Sequence, residues 1–378
     1  MSKTVRVAVI GTGSLGKEHA RIYAELAREG QAEFTGVYDV SPDAARTHAA
    51  KHGVRAFTSV AEAAEASDAL SIVTPAGESV LIDTGNPGGR DSGRILDALT
   101  NVAGLKRLDH MVITHLHIDH FGGAAEVAAA VPVGNLWDNG LPDSDPDGNR
   151  NSTWPLTSKP YRSMSVGARH RVDPGTTVPL TTATLPLSLR CVITRQTPAA
   201  PAAGLRTATA GDSEPAMKAP DNSDNANSSA WILSFGDFQF FDGGDLTWNT
   251  EAKLVWPKVL VPEVDLYQVT HHGFDVSNHP RLIQALNPRV AVMNNGPTKG
   301  TSGEVLANLR ALPNLEALFQ VHRNTRPDGS TNNTAESHIA NFTASGGRII
   351  RCSVAADTKS YTVSIPATGF SRTFRTKP

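Results

Sequence analysis

His115-Leu116-His117-Ile118-Asp119-His120 sets four metal-competent side chains within six residues. The run follows Met111-Val112-Ile113-Thr114, an apolar stretch of strand character, so the cluster falls where a buried strand opens into a loop. Alternation lets His115 and His117 present two imidazoles to one ion, while Asp119 and His120 can turn toward a second. Imidazole nitrogen with carboxylate oxygen suits zinc, and iron or manganese take the same donors. The competing reading is a histidine-rich surface turn, which requires H-x-H-x-D-H to fall at a strand end by accident.

Outward from the cluster, strands and helices alternate. Upstream, Ser79 to Ile82 reads as a strand ending in Asp83-Thr84-Gly85, followed by a helix from about Ser92 to Val102. Downstream, residues 138–160 and 196–229 are rich in Pro, Gly, Ser, Asn and Ala and read as irregular surface insertions. Strands are expected near 231–235, 238–242, 265–270, 289–293, 348–353 and 360–365, and helices near 279–286 and 303–311. His110, His279 and His338 read as surface residues.

The cluster and its surroundings resemble the metallo-β-lactamase superfamily. Leu81-Ile82-Asp83-Thr84-Gly85 is similar to that family's strand and turn before the metal loop. Phe241-Asp242-Gly243-Gly244-Asp245-Leu246 looks like the segment that supplies a bridging aspartate. Thr270-His271-His272-Gly273 looks like the late histidine segment, in the form of the branch containing DNA-uptake competence proteins. The resemblance runs from about Ala69 to the C-terminus and implies an αββα sandwich holding two metal ions. His115 and His117 would hold the first; Asp119, His120 and His271 the second, with His272 as the alternative to His271; Asp245 would bridge them. Two zinc ions, or iron or manganese, would hold a hydroxide as nucleophile and polarise a phosphoryl or carbonyl oxygen. Asp119 and Asp245 are then the catalytic carboxylates, and Asp83 a partner that orients an imidazole. The family places one further histidine between the first cluster and the bridging aspartate. Here the only histidine in that interval is His170, whose flanks read as an ordinary strand. His322 and the turn Asn294-Asn295-Gly296 are further candidates to line the cleft.

At the start of the chain, Val5 to Ile10 reads as a buried strand, followed by Gly11-Thr12-Gly13-Ser14-Leu15-Gly16 and a helix from about Lys17 to Arg28. A strand from Phe34 to Asp39 comes next; Ser41 then caps a helix with Pro42 in its first turn. Short strands follow at Arg55 to Phe57 and Ala69 to Thr74, with a helix at Val60 to Ala66 between them. This alternation implies a parallel sheet with right-handed crossovers. Gly11, Gly13, Gly16 and Asp39 stand in the full context of a dinucleotide fingerprint, with the glycines admitting a pyrophosphate and Asp39 accepting from a ribose hydroxyl of NAD. Residues 1–76 are similar to the N-terminus of the glucose-fructose oxidoreductase and inositol dehydrogenase family. They share Gly16-Lys17-Glu18-His19-Ala20 and Asp68-Ala69-Leu70-Ser71-Ile72-Val73-Thr74-Pro75. The segment carrying that family's catalytic lysine does not follow Pro75, which argues against hydride transfer.

The expected organisation is a partial Rossmann-like segment over 1–76 and a hydrolase domain over 77–378, joined at a strand that fits both families. The leading function is a metal-dependent hydrolase of phosphoesters, phosphodiesters or related esters. The alternative is an NAD(P)-binding oxidoreductase-like protein or sensor whose hydrolase-like region is inactive; a fusion that folds poorly is a third reading. At 378 residues the chain has room for two domains. A net charge of −2 gives nucleic acid no general docking surface, although a local groove stays open. No apolar run nears the roughly 20 residues of a membrane span. With only Cys191 and Cys352, too few for a disulfide framework, and no signal-peptide pattern at Met1, a cytoplasmic setting is expected.

Overall fold

In the computed structural model, the described residues are 5–13, 16–65, 69–72, 78–181, 185–200 and 213–377. Ser14 and Leu15 of the glycine motif, Asp68, the junction 73–77 and residues 201–212 of the second insertion lie outside them. The chain divides into two compact units: Met1–Glu78 with Thr181–Thr184, and Ser79–Leu180 with Leu185–Pro378.

Among the described residues of the first unit, four parallel strands form one sheet, ordered Arg55–Ala56, Ala32–Tyr38, Val5–Ile10 and Ala69–Ile72. Alternate residues of Val5–Ile10 face opposite sides. Val9 packs with Ala20, Phe34, Val37 and Ala49, whereas Ala8 and Ile10 pack with Phe57 and Ala63. Helices Gly16–Arg28 and Pro42–His52 supply the first of these layers and helix Val60–Glu65 the second. The capping expectation holds at Pro42–His52. Ser41 accepts from the Ala44 N–H, and Gly53, at φ +66°, closes the C-terminus by donating to Ala49 and Ala50.

The second unit is layered helix, sheet, sheet, helix. Strands Val80–Ile82, Leu108–Val112, Val133–Asp138 and Ala168–Arg171 form a parallel sheet in that order. Met111, Ile113 and Leu136 point to one face, packing with Phe121, Ala124 and Val127 of the following helical segment. Val112 and Trp137 point to the other, meeting Leu189, Cys191 and Trp231 of a larger sheet. That sheet has nine strands among the described residues, and its last five, from Phe238–Asp242 to Ile339–Asn341, run parallel. Phe241, Tyr267 and Ala291 face the helices Pro280–Leu286 and Gly303–Arg310. On the opposite side, Leu266, Val290 and Phe319 pack with Tyr361, Val363 and Phe374 of a three-stranded antiparallel sheet.

Several expectations need correction. The first insertion is not wholly surface: it contains helix Trp154–Thr157, whose buried Trp154 meets Phe121 edge-on, as does Tyr161 just beyond it in helix Lys159–Ser163. His110 and His279 are buried, not exposed. His110 accepts from the Trp137 indole at 3.2 Å, and His279 caps the helix Pro280–Leu286. His338 is half-buried between Phe319 and Phe370. Cys191 and Cys352 are both free thiols, so the single bridge that their number would allow is not formed.

Candidate metal centre

Parallel strands put all their carboxyl ends on one edge, and the second unit uses those ends from its four-stranded and nine-stranded sheets. Asp83 follows Val80–Ile82, and the histidine loop follows Leu108–Val112. Asp245 follows Phe238–Asp242, His271 and His272 follow Leu266–Gln268, and Asn294 follows Val290–Met293. Three of these residues sit in left-handed backbone: Asp83 at φ +58°, His271 at +51° and His272 at +56°. Such a conformation costs an ordinary residue about 1–2 kcal/mol, and strain of this kind concentrates at functional sites.

Ligand atoms of His115, His120 and Asp245 lie within 4.8 Å of one another, as do those of Asp119, His120 and His272. His120 Nε2 is 3.1 Å from the Asp245 carboxylate, and His271 Nε2 and His272 Nε2 are each 3.5 Å from it. Asp119 lies 3.9 Å from both His120 Nε2 and His272 Nε2 and is bonded by the Lys299 ammonium.

Each of these imidazoles has its other nitrogen held. His120 Nδ1 bonds Asp83 at 2.7 Å, and His271 Nδ1 bonds Ser277 at 2.9 Å. His272 Nδ1 donates to the Asn294 carbonyl at 2.7 Å. The Thr114 hydroxyl donates to Asp83, so its oxygen accepts from His115 Nδ1 at 3.2 Å. That tautomer turns a lone pair out at Nε2. Both His115 Nε2 and His272 Nε2 are buried without a hydrogen-bond partner.

Burial is the largest influence on His115 and, with the neighbouring His120, holds its ring well below the usual imidazole range. Burial opposes charge on His120 as well. There the Asp83 and Asp245 carboxylates outweigh it and hold the ring well above that range. Asp245 is buried too, yet His120 and His272 keep its carboxyl well below the ordinary range. Burial takes His271 down to about 4 against the pull of Asp245, and raises the neighbouring Asp242 to about 7.

His117 stands apart from both donor groups. Its Nε2 bonds the Asp147 carboxylate at 3.0 and 3.1 Å, while its ring centroid is 4.7 Å from that of His115. Asp147 also accepts from the Asp224 N–H at 2.7 Å, and the Asp224 carboxylate accepts from the Leu116 N–H at 2.6 Å. The two insertions are thus tied to the histidine loop by one run of hydrogen bonds. Asp147, Asp224 and Lys299 were not singled out by the sequence, because their partners lie 30, 108 and 180 residues away. His170 is elsewhere, stacked on Trp137 at 4.1 Å and bonded to Asn135 at 2.9 Å, within the four-stranded sheet. His322 ends its strand in a buried position outside both donor groups, and Asn295 ties to its backbone carbonyl at 2.7 Å.

In the first unit, Asp39 meets the glycine loop directly. Its carboxylate accepts from the Thr12 N–H at 2.6 Å, the Thr12 hydroxyl at 2.8 Å and the Ser41 N–H at 2.9 Å. Burial pushes its pKa up, and these bonds more than reverse that. Gly11 has φ +88°, and a side chain at Gly13 would meet open space, which leaves the backbone there approachable. Gly16 is buried at the helix start.

Two family models match the chain. Residues 67–166 match the metallo-beta-lactamase superfamily, and residues 5–87 match an oxidoreductase family with an NAD-binding Rossmann fold. The matches overlap at 67–87, across the strand expected to fit both. No curated protein sequence matches. Among solved structures, the UDP-N-acetylglucosamine 3-dehydrogenase from Acidithiobacillus ferrooxidans is 27% identical over 34% of this chain and 34% of its own, with a TM-score of 0.18. The chain therefore spans about a third of that dehydrogenase. A diiron beta-hydroxylase from Streptomyces venezuelae is 15% identical over 50% of this chain and 36% of its own, with a TM-score of 0.31. A protein assigned as a metal-dependent hydrolase from Parabacteroides distasonis is 13% identical over 64% and 84%, with a TM-score of 0.34. Family matches and topology define the class: a mixed α/β chain with a fold of the metallo-β-lactamase type. More particularly, a Rossmann-type parallel unit precedes that sandwich, whose strand ends bring together side chains that could hold a metal ion. Among the described residues, no helix is long and apolar enough to cross a membrane.

Proposed function

We propose that the chain is a metal-dependent hydrolase that uses two divalent cations on a phosphoester, phosphodiester or related ester. The observation that carries this reading is the pair of orphaned nitrogens, His115 Nε2 and His272 Nε2, buried beside Asp245 and Asp119. An unsatisfied buried polar atom costs about 1–3 kcal/mol, and native interiors seldom leave one without a purpose. Other buried imidazoles, such as His279 and His322, also have an unpartnered nitrogen. What distinguishes this pair is convergence on carboxylates, with donor chemistry that suits zinc, iron or manganese.

His120 Nε2 has one lone pair, so it would serve one cation together with Asp119 and His272, while His115 and Asp245 would serve the other, with His271 and His117 at the margins of these groups. The bound cations would supply Lewis acidity and an ionised water as nucleophile. Asp83 fixes the His120 ring so that Nε2 faces Asp245. Thr114, Ser277 and Asn294 do the same for His115, His271 and His272. His120 carries a proton where a cation would bind, so occupancy should release protons. Two free cysteines suit a reducing, cytoplasmic setting.

Elemental analysis of the purified chain, followed by assay on bis-(p-nitrophenyl) phosphate, lactam and lactone substrates, tests the proposal. About two metal equivalents and turnover lost in Asp119→Ala are expected; full turnover in that variant would reject the site. A second reading, nucleotide binding by the first unit without hydride transfer, is supported by the family match over 5–87 and by the open backbone at Gly13. Gly11, Gly13 and Gly16 would approach the pyrophosphate of NAD, and Asp39 the ribose. Calorimetric titration with NAD that shows no binding would end it.

A further inference from the structure

The turn after Val290–Met293 performs two tasks. Asn294, at its start, holds His272 Nδ1, and Lys299, at its end, bonds Asp119. The backbone between them is firmly set. Gly296 donates to the Lys299 carbonyl at 3.1 Å, Thr301 to the His272 carbonyl at 3.2 Å, and Ser302 to the Gly273 carbonyl at 2.8 Å. Arg326 donates to the carbonyls of Gly300 at 2.6 Å and Thr298 at 3.2 Å. Gly300 has φ +83°, and a Cβ there would stand 1.9 Å from the His272 carbonyl oxygen. Lys299 therefore holds a fixed station beside the donor cluster, with its side chain 42% exposed.

An ammonium at that station conflicts with bound metal. Two dications bring four positive charges, against which Asp83, Asp119 and Asp245 set three negative ones, since the imidazoles bind as neutral ligands. Once Asp119 turns to a cation, Lys299 loses its partner and stands as a surplus positive charge even when the ionised water is counted. The conflict is resolved when an anion arrives. We propose that Lys299 anchors a phosphoryl oxygen of the substrate, which makes the centre selective for anionic esters over neutral ones. This rests on the reading of the cluster as a metal centre.

Calorimetric titration of the zinc-loaded full chain with inorganic phosphate tests the assignment, with zinc content measured on the same samples. Lys299→Met is expected to weaken phosphate binding about ten-fold or more, the loss of one charge-assisted hydrogen bond, with zinc content unchanged. Lys299→Arg should keep most of the affinity. Equal phosphate affinity in Lys299→Met and wild type overturns the anchor and leaves the metal centre standing. So does a wild-type chain that holds zinc but binds no phosphate. A fall in zinc content in Lys299→Met also overturns it, because the lysine then only braces Asp119. A wild-type chain that takes up no zinc removes both the metal centre and the anchor.

Discussion

The glycine loop of the first unit and the histidine loop of the second are both motif-rich, yet their polar atoms end in opposite states. Asp39 is met by Thr12 and Ser41, and its bonds are made within the unit. His115 and His272 each keep a buried nitrogen with nothing to bond. A site whose groups satisfy one another is stable as it stands, whereas a site with orphaned lone pairs is completed only by something from outside. The comparison teaches that motif strength and chemical readiness are separate properties. Among the described residues of these segments, only the histidine-bearing ones of the second unit leave a buried polar atom without a partner.

The sharpest way to break the comparison is at Asp245, which both donor triplets approach. Asp245→Ala should reduce bis-(p-nitrophenyl) phosphate turnover to the uncatalysed level and lower metal content; retention of both would erase the contrast between the two loops. Asp147→Ala should come next, because it frees the His117 ring and cuts the run of hydrogen bonds through Asp224 to the Leu116 N–H that holds the histidine loop in place. Metal affinity, measured against a chelating dye, should fall about 10–100-fold, and nitrogen NMR of His117 should show a changed tautomer balance. Asp147→Asn, which keeps an acceptor, should restore most of both.

A third prediction concerns Glu251, fully buried behind the late histidine segment and accepting from the His279 N–H at 2.6 Å. Burial raises its pKa from 4.5 to about 8. The folded chain therefore keeps a proton that the unfolded chain releases. This contribution to stability is complete below the unfolded value and is lost as pH rises through the folded one. Glu251→Gln should flatten the decline of Tm across that window, and an unchanged slope would show that the carboxyl titrates normally. The smallest effect belongs to the first unit. Asp39→Ala should cost about 1–2 kcal/mol through its lost hydrogen bonds and reduce NAD binding, while metal content and turnover stay at wild-type values.

Much of the centre was legible because its residues lie in short motifs at strand ends. The runs 115–120, 241–246 and 270–273 need no tertiary information, and Asp83, in the turn that precedes the histidine loop, reads as an orienting partner and bonds His120 Nδ1. Neither the choice between His271 and His272 nor the outlying position of His117 was legible. Both depend on ring direction, which sequence does not display: left-handed backbone sets it at His271 and His272, and the Asp147 carboxylate holds it at His117. Asp147 was hidden differently. The composition of 138–160 announces turns, but not which buried ring a turn will reach. Strands Val133–Asp138 and Leu187–Thr194 escaped notice because VGNLWD and LSLRCVIT lack clean two-residue alternation. His110 read as exposed because its acceptor role depends on the indole of Trp137 in the neighbouring strand.

The short turn from Asn294 to Thr301 has an evolutionary consequence. One stretch of backbone steadies an imidazole at its entrance and aims a cation at its exit, with Gly300 wedged against the residue it serves. Insertions or deletions there would disturb metal retention and ligand preference at once, so lineages could not explore the two independently by reshaping the loop. Exchange of the single side chain at 299 offers a separable route, and diversification among descendants of this chain should be concentrated at that position.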